Sequence, residues 1–322
     1  MRSRARDAAS TLLIVVLTIA VVFAVAWKLL GGFSESSSTG PAPTSATQSL
    51  TLTTETVTAP SKPATSPTAR PATPALKAVN PLAGDVPALV NSRAGTISVA
   101  VKDLQTGRLW VLHPGPAQAT ASIVKVDIMA TLLAQQHQGT GAVTSSQRAT
   151  LANMIEFSDN TAATDLWNAV GGPSGIRSVN DQLGLSQTTP STCLSCPGFP
   201  WPGWGLTTTT PTDQVALLEA LVRPNALLSS AQQAFALGLM EQVTPSERWG
   251  VTAGVPATAT VALKNGWVPL PSGAWQINSI GWIRGPGRNY LIAVLTTANP
   301  SESYGIDTID AISTSVYRRL GQ

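Results

Sequence analysis

Ala121-Ser122-Ile123-Val124-Lys125-Val126-Asp127-Ile128-Met129-Ala130-Thr131-Leu132-Leu133 is the stretch on which the reading of this chain turns. A helix wound from Ala121 to His137 carries apolar residues on nearly every side (Ile123, Val124, Val126, Ile128, Met129, Leu132, Leu133), so it is expected to be buried all round. Within it, Ser122 and Lys125 stand three apart on one face, with the serine at the helix start among free backbone N–H groups. Burial disfavours the charged ammonium and lowers a lysine's pKa, which makes Lys125 a base for the hydroxyl one turn earlier. By itself S-x-x-K is a weak pattern, also compatible with a solvated lysine on a surface helix.

Two further polar signatures follow. Ser158-Asp159-Asn160 falls in the break between two helical stretches, where a serine and an asparagine on a loop can point into a cleft. A plain helix N-cap is the alternative, since all three residue types favour that position. Lys264-Asn265-Gly266 ends an apolar strand, and its glycine would let a ligand approach the backbone closely. From Asp85 to the end the chain has only three lysines, Lys102, Lys125 and Lys264, and two of them lie inside these signatures.

Around the signatures the pattern is split. Thr96 to Lys102 and Leu109 to His113 alternate as short strands about a turn at Gln105-Thr106-Gly107. Val261 to Lys264, Gln276 to Ile283 and Tyr290 to Thr297 read as strands again, with Gly285-Pro286-Gly287 turning between the last two. Between these sets lies a helical middle. There Thr161 to Val170 stops at Gly171-Gly172-Pro173, and Thr210-Pro211 opens a helix through Leu221. A closing helix runs from about Ile306 to Leu320, with Arg318 and Arg319 in its last turn. Strands at both ends enclosing helices predict an α+β architecture whose sheet is assembled from distant segments, with a helical lobe beside it.

Longer strings accompany the signatures: F-S-D-N-T-A-A over 157–163, V-G-G-P-S-G over 170–175 and T-T-T-T-P-T over 207–212, with 106 residues between Ser158 and Lys264. The order S-x-x-K, S-D-N, K-x-G together with these strings resembles the class A β-lactamase and penicillin-binding-protein superfamily of active-site serine enzymes. The resemblance covers about residues 85 to 320. It implies a five-stranded antiparallel sheet flanked by helices, with a helical lobe and the site in between. Carried over, it makes Ser122 the acylated nucleophile, Lys125 its base and Ser158 the proton shuttle to the leaving nitrogen. Asn160 and Lys264, with Asn265 and Gly266, would hold substrate and charge, and the oxyanion would sit between the N–H groups of Ser122 and Trp267. The implied substrate is a small-molecule β-lactam or a peptidoglycan peptide, with no cofactor and no metal, on a monomer.

Four departures from the family pattern carry consequences. Between the positions of Asn160 and Thr210, family β-lactamases carry a glutamate on a loop, where it activates water to release the acyl group. Here no Glu occurs from residue 157 to residue 218. An acyl-enzyme is therefore expected to form and linger, since a general base contributes about 10²–10⁴ in rate. Asn265 stands where the family has Thr or Ser, and its amide is expected to donate to substrate with a different reach. The family's carboxylate-anchoring arginine is replaced by Gln276 at about its position, with Arg248 a candidate substitute. The interval of 36 residues from Ser122 to Ser158 is short, which predicts a more open groove. Trp201, Trp204 and Trp267 either line that groove or pack the remade Asp181–Thr210 loop.

Outward from the domain, Arg2, Arg4 and Arg6 precede a charge-free run from Thr11 to Ala26. Residues 1–10 then read as a cytoplasmic basic segment and 11–30 as a membrane anchor, the alternative being a signal cleaved after Ala24-Val25-Ala26. Both readings export residues 81–322, either as a single-pass protein of the cell membrane or as a secreted one. Residues 31–80, rich in Ser, Thr, Pro and Ala, read as an extended linker. The basic surplus belongs to these segments. From Asp85 onward thirteen cationic side chains face fourteen acidic ones, which leaves no nucleic-acid footprint. In an exported domain, Cys193 and Cys196 are expected to form a local disulfide, with zinc or a redox pair as alternatives. The leading function is a membrane-anchored serine hydrolase or acyltransferase. The competing class is a decayed enzyme fold that binds cell wall or protein.

Overall fold

A computed structural model describes residues 79–139, 142–197 and 202–321. In chain order the elements are α1 (Val86–Asn91), β1 (Thr96–Asp103), β2 (Leu109–Leu112), β3 (Gln118–Ala119), α2 (Val124–Gln138), α3 (Ser145–Glu156), α4 (Asn160–Ala169) and α5 (Gly172–Leu183). They continue as β4 (Thr208–Thr209), α6 (Pro211–Val222), α7 (Ser230–Glu241), β5 (Thr260–Pro269), β6 (Trp275–Gly285), β7 (Arg288–Asn299) and α8 (Glu302–Arg319).

The main sheet is antiparallel in the order β2-β1-β7-β6-β5, so its two ends in sequence are joined at the centre, as the split strand pattern predicts. Strand β7 is buried continuously from Tyr290 to Thr296, and because successive side chains alternate faces, both faces of the sheet are covered there. Helix α6 packs on β1 and β7, while α8 packs on β6 and β7. The β6–β7 hairpin closes through Pro286-Gly287, with Gly287 at φ +72°.

Two differences from the sequence reading bear on the site and its helical lobe. Strand β5 does not stop at Lys264 but continues through Asn265, Gly266 and Trp267, paired with β6 as far as Pro269↔Trp275. Pro173 does not merely end the preceding helix. Gly171, at φ +88°, turns the chain, and the proline lies in the first turn of α5, where its missing N–H costs nothing.

Helix α2 is buried without interruption from Val124 to Ala134, including Lys125, Asp127 and Thr131. It is the central member of the helical lobe, against which α5 and α4 pack. The turn before it is fastened to the sheet by Asn278 on β6. That side chain's amide donates to the carbonyls of Ala119 (2.8 Å) and Thr120 (2.9 Å), while its Oδ1 accepts from Thr296 N–H (3.2 Å) and Gln276 Nε2 (3.0 Å).

Among the described residues no helix is long and apolar enough to cross a membrane; the proposed anchor at 11–30 and the linker up to residue 78 lie outside them.

Replacing Asn278 by alanine should orphan two carbonyls and one N–H in the interior. Urea unfolding is expected to lose roughly 2–4 kcal/mol, since each buried unsatisfied group costs about 1–3 kcal/mol.

Candidate active site

Ser122 lies in a single 3₁₀ turn, Ala121–Ile123, that leads into α2. The residue before it, Ala121, has φ +48°, a conformation that costs a non-glycine residue about 1–3 kcal/mol and persists only where the surroundings impose it. Here Thr120 N–H donates to Thr207 O (2.8 Å), and Asn278 holds the Thr120 carbonyl from the other side. Ser122 faces a cavity of about 290 Å³ shared with Ser158, Asn160, Glu247 and the rings of Trp204, Trp267 and Trp275.

Three signatures distant in sequence meet beside this serine. The chain between α3 and α4 turns at Ser158, with φ +53°, and Asp159 then caps α4 by accepting from Ala162 N–H (2.7 Å). Lys125 Nζ stands 3.0 Å from Ser158 Oγ, 2.5 Å from Ser158 O and 2.8 Å from Asn160 Oδ1, and also lies 5.0 Å from the centre of the Trp204 ring. Lys264 Nζ comes from β5 on the other side, donating to Ser158 Oγ (2.9 Å) and to Asn265 O (3.0 Å). One hydroxyl thus bridges two amines that are both buried.

Burial is the main reason neither amine keeps an ordinary lysine pKa. Lys125 is brought down to about 6, first by desolvation and then by the positive charge of Lys264, against the opposing pull of Glu247 and Asp159. Desolvation brings Lys264 to about 8, with Glu247 again resisting the fall. Near neutral pH the pair is therefore a neutral Lys125 beside a charged Lys264. The hydrogens fit that assignment. A neutral amine has two N–H donors for the Ser158 and Asn160 oxygens and a lone pair for the Ser158 O–H, whose oxygen accepts from Lys264.

Not every expected contact forms. Among the described residues no hydrogen bond joins Lys125 Nζ to Ser122 Oγ; the amine is turned to Ser158 and Asn160 instead, because these oxygens satisfy it in the interior. Asn265 is fully buried, and its amide donates to the carbonyls of Glu247 (2.7 Å) and Trp249 (3.0 Å), so it is not a donor to the cavity. Arg248 is not a substitute anchor. Its guanidinium bridges Glu241 O (2.8 Å), at the C-terminal end of α7, and Val261 O (3.0 Å). Gln276 is buried in a network with Asn278 and Gln118.

Other expected residues do face the site. Trp267 and Trp204 line the cavity, and Trp249 stacks edge-on against Trp267 with ring centres 5.9 Å apart; Trp201 lies outside the described residues. Gly266 is where β5 passes Ser122. A Cβ there would stand 2.6 Å from Ser122 N and 2.8 Å from Ile123 N, so only glycine permits the approach. Cys193 and Cys196 are joined in a disulfide. Its loop is tied back by Gly203 N–H, which donates to Cys193 O (2.8 Å).

Glu247 was missed by the sequence reading. It ends a 3₁₀ turn, Pro245–Glu247, after α7, and its Oε2 lies 3.7 Å from Lys264 Nζ, an ion pair too long for a hydrogen bond. That oxygen is buried and has no hydrogen-bond partner. Nothing local marks the residue, since it reaches the site only through the turn that Asn265 holds.

The comparisons with known proteins agree with this fold. The sequence profile described as the beta-lactamase enzyme family matches residues 140–320. The chain belongs to that family. Among solved structures, the TLA-1 extended spectrum beta-lactamase superposes with a TM-score of 0.66 at 18% identity, covering 73% of this chain and 96% of that one. A class A beta-lactamase from Mycobacterium abscessus superposes with a TM-score of 0.63 at 25% identity, covering 73% and 98%. The protein LppW of Mycobacterium tuberculosis, whose name proposes a lipoprotein, is 29% identical over 206 residues. That match spans 62% of this chain and 62% of LppW.

Because Lys125 gives up its proton on folding, the unfolded chain binds one more proton between pH 6 and 10.5, and the native state loses stability as pH falls through that window. Lys125→Met should therefore gain stability relative to the parent as pH is lowered from 10 to 6. Chemical unfolding at several pH values reads the difference, and a constant offset would contradict the lowered pKa.

Proposed function

We propose that this chain is a membrane-anchored extracytoplasmic serine hydrolase or acyltransferase, acylated on Ser122 by a β-lactam or a peptidoglycan-type amide. The observation that carries this reading is the Ser158 hydroxyl held between Lys125 and Lys264 at the wall of the Ser122 cavity. Ser122 Oγ attacks the carbonyl carbon, and its proton passes to neutral Lys125, directly on rotation of the amine or through Ser158. The oxyanion that forms is met by the Ser122 and Trp267 N–H groups; one such donor contributes about 10²–10³ in rate. Ser158 then gives its proton to the leaving nitrogen and is resupplied from Lys264.

Release of the acyl group is slow in this reading. Among the described residues no carboxylate of the 181–210 loop lines the cavity, and the Glu247 charge is engaged by Lys264. Residues 11–30 anchor the chain, 31–80 space it from the membrane and 81–322 form the catalytic domain, an arrangement in keeping with the name of LppW. A second reading, a binding module for cell wall or protein on a decayed site, is favoured by one observation: the Asn265 amide is spent inside the fold.

A fluorescent penicillin is expected to label the protein covalently, with the adduct on Ser122 by mass spectrometry and no label on Ser122→Ala. Loss of label only through general unfolding, or labelling that survives Ser122→Ala, contradicts the mechanism. Fast turnover of a chromogenic cephalosporin contradicts slow release. Cell-wall or partner binding untouched by Ser122→Ala would favour the second reading.

The acylation rate constant should rise with pH through about 6, as Lys125 loses its proton, and fall through about 8, as Lys264 does. Glu247→Gln removes a charge that raises both values, so both limbs should move to lower pH.

A further inference from the structure

We infer that Trp204 is a positioning residue for Lys125: held in place by the Cys193–Cys196 disulfide, its ring walls the amine off from water. The inference rests on the proposed role of Lys125 as the base in acylation and adds what maintains that base. Lys125 Nζ lies 5.0 Å from the centre of the Trp204 ring. Trp204, itself only 2% exposed, lines the cavity together with Ser122, Ser158 and Asn160, whereas Lys125 does not reach the cavity wall. The amine therefore sits behind Ser158, Asn160 and Trp204, each of which it touches.

The ring is fixed from two sides. Trp204 Nε1 donates to Thr164 Oγ1 (3.2 Å), which donates to the carbonyl of Asn160 (2.9 Å), the residue whose side chain meets Lys125. On the other side, Gly203 N–H donates to Cys193 O (2.8 Å), and a Cβ at Gly203 would stand 2.5 Å from Cys196 Sγ. The disulfide thus presses directly on the residue that precedes Trp204. The 3₁₀ turn Gly203–Leu206 carries no charge of its own. The charges that act on the amine come from elsewhere: Lys264 on β5, Glu247 on the turn after α7, and Asp159 at the cap of α4.

A tryptophan beside an amine has two opposed effects. Its face attracts the ammonium, by about 1.5 pH units at a desolvated site. Its bulk excludes water, and burial can lower a lysine by about 3–5 units. Here the lowering wins, since desolvation is the first cause that brings Lys125 to about 6. On balance the ring is a water barrier, and taking it away should return the amine toward its solvated behaviour.

Lysine labelled with ¹³C at the ε carbon reads the Lys125 midpoint in the folded protein. Trp204→Ala should raise it by about one pH unit. Trp204→Phe keeps a ring but not the donor to Thr164, and should leave the midpoint near 6. Opening the disulfide should raise the midpoint too, both in the Cys193→Ser, Cys196→Ser double variant and in the parent treated with tris(2-carboxyethyl)phosphine. The phosphine gives two electrons to the S–S bond and takes the oxygen of a water molecule, whose two protons complete the thiols. The double variant should not respond to it. A midpoint unmoved or lowered by Trp204→Ala, or raised as far by Trp204→Phe, overturns the inference, as does an opened disulfide that leaves the midpoint in place. Should Trp204→Ala not fold, Trp204→Phe and the opened disulfide decide.

In the penicillin reaction, a one-unit rise slows acylation about fivefold at pH 6 and hardly at all at pH 8, while the alkaline limb set by Lys264 stays near 8. An equal loss at every pH would mark a purely structural role and overturn the inference. Because the midpoint is read on the amine itself, a parent that is never acylated would sink the proposed chemistry and leave the inference to the titration. Labelling of Ser122 with a midpoint that Trp204→Ala does not move would do the reverse.

Discussion

Two buried amines share one hydroxyl at the wall of a cavity, and the site is organised around that fact. Lys125 and Lys264 each lie within 3.0 Å of Ser158 Oγ, so two full positive charges there would repel at close range in a medium that screens them poorly. The interior resolves the conflict by neutralising the amine that has no carboxylate within ion-pair distance and retaining the charge on Lys264, which has Glu247 at 3.7 Å. A base and an acid are thereby set side by side across a single oxygen. Ser122 needs no pKa of its own adjusted; it needs to stand at the edge of this pair.

The scaffold reads as a set of devices for holding that arrangement. A helix buried on every side lets Lys125 be desolvated without leaving the first turn beside Ser122. Strand β5 brings Lys264 from the opposite wall, and Gly266 lets the same strand run against the Ser122 backbone. Positive φ at Ala121 and Ser158 stores strain at both serine-bearing turns, and each is over-determined by hydrogen bonds around it. Asn265, in the position next to Lys264, turns its amide away from the cavity and braces the turn that presents Glu247.

Much of this was legible in the chain, for physical reasons. The sheet could be read because its strands are apolar runs with turn residues between them, and the five found are the five expected. The convergence of Ser122, Lys125, Ser158 and Lys264 could be read from the resemblance carried by the order of the three signatures and the strings around them, to which the scarcity of lysines in the domain adds weight. What escaped depends on orientation rather than pattern. The spacing of Ser122 and Lys125 places them on one face but does not say which oxygen the amine prefers, and Ser158 with Asn160 wins it. The resemblance points to a glutamate between Asn160 and Thr210, and Glu247 lies beyond that interval, on a short turn after α7. Its neighbour Arg248, a candidate for the anchoring arginine, is spent on backbone carbonyls. The extension of β5 past Lys264 was missed because Asn265-Gly266 reads locally as a strand end, whereas pairing with β6 carries the strand on.

The direct test of the account is the titration of the two amines in the intact protein. With lysine labelled by ¹³C at the ε carbon, and the signals assigned through Lys125→Met and Lys264→Met, magnetic resonance can follow each amine separately. The account predicts midpoints near 6 for Lys125 and near 8 for Lys264, each moving when the other lysine is replaced. Two independent midpoints near 10.5, the ordinary lysine value, would mean that the amines are solvated and uncoupled, and the shared-hydroxyl site would not exist as described.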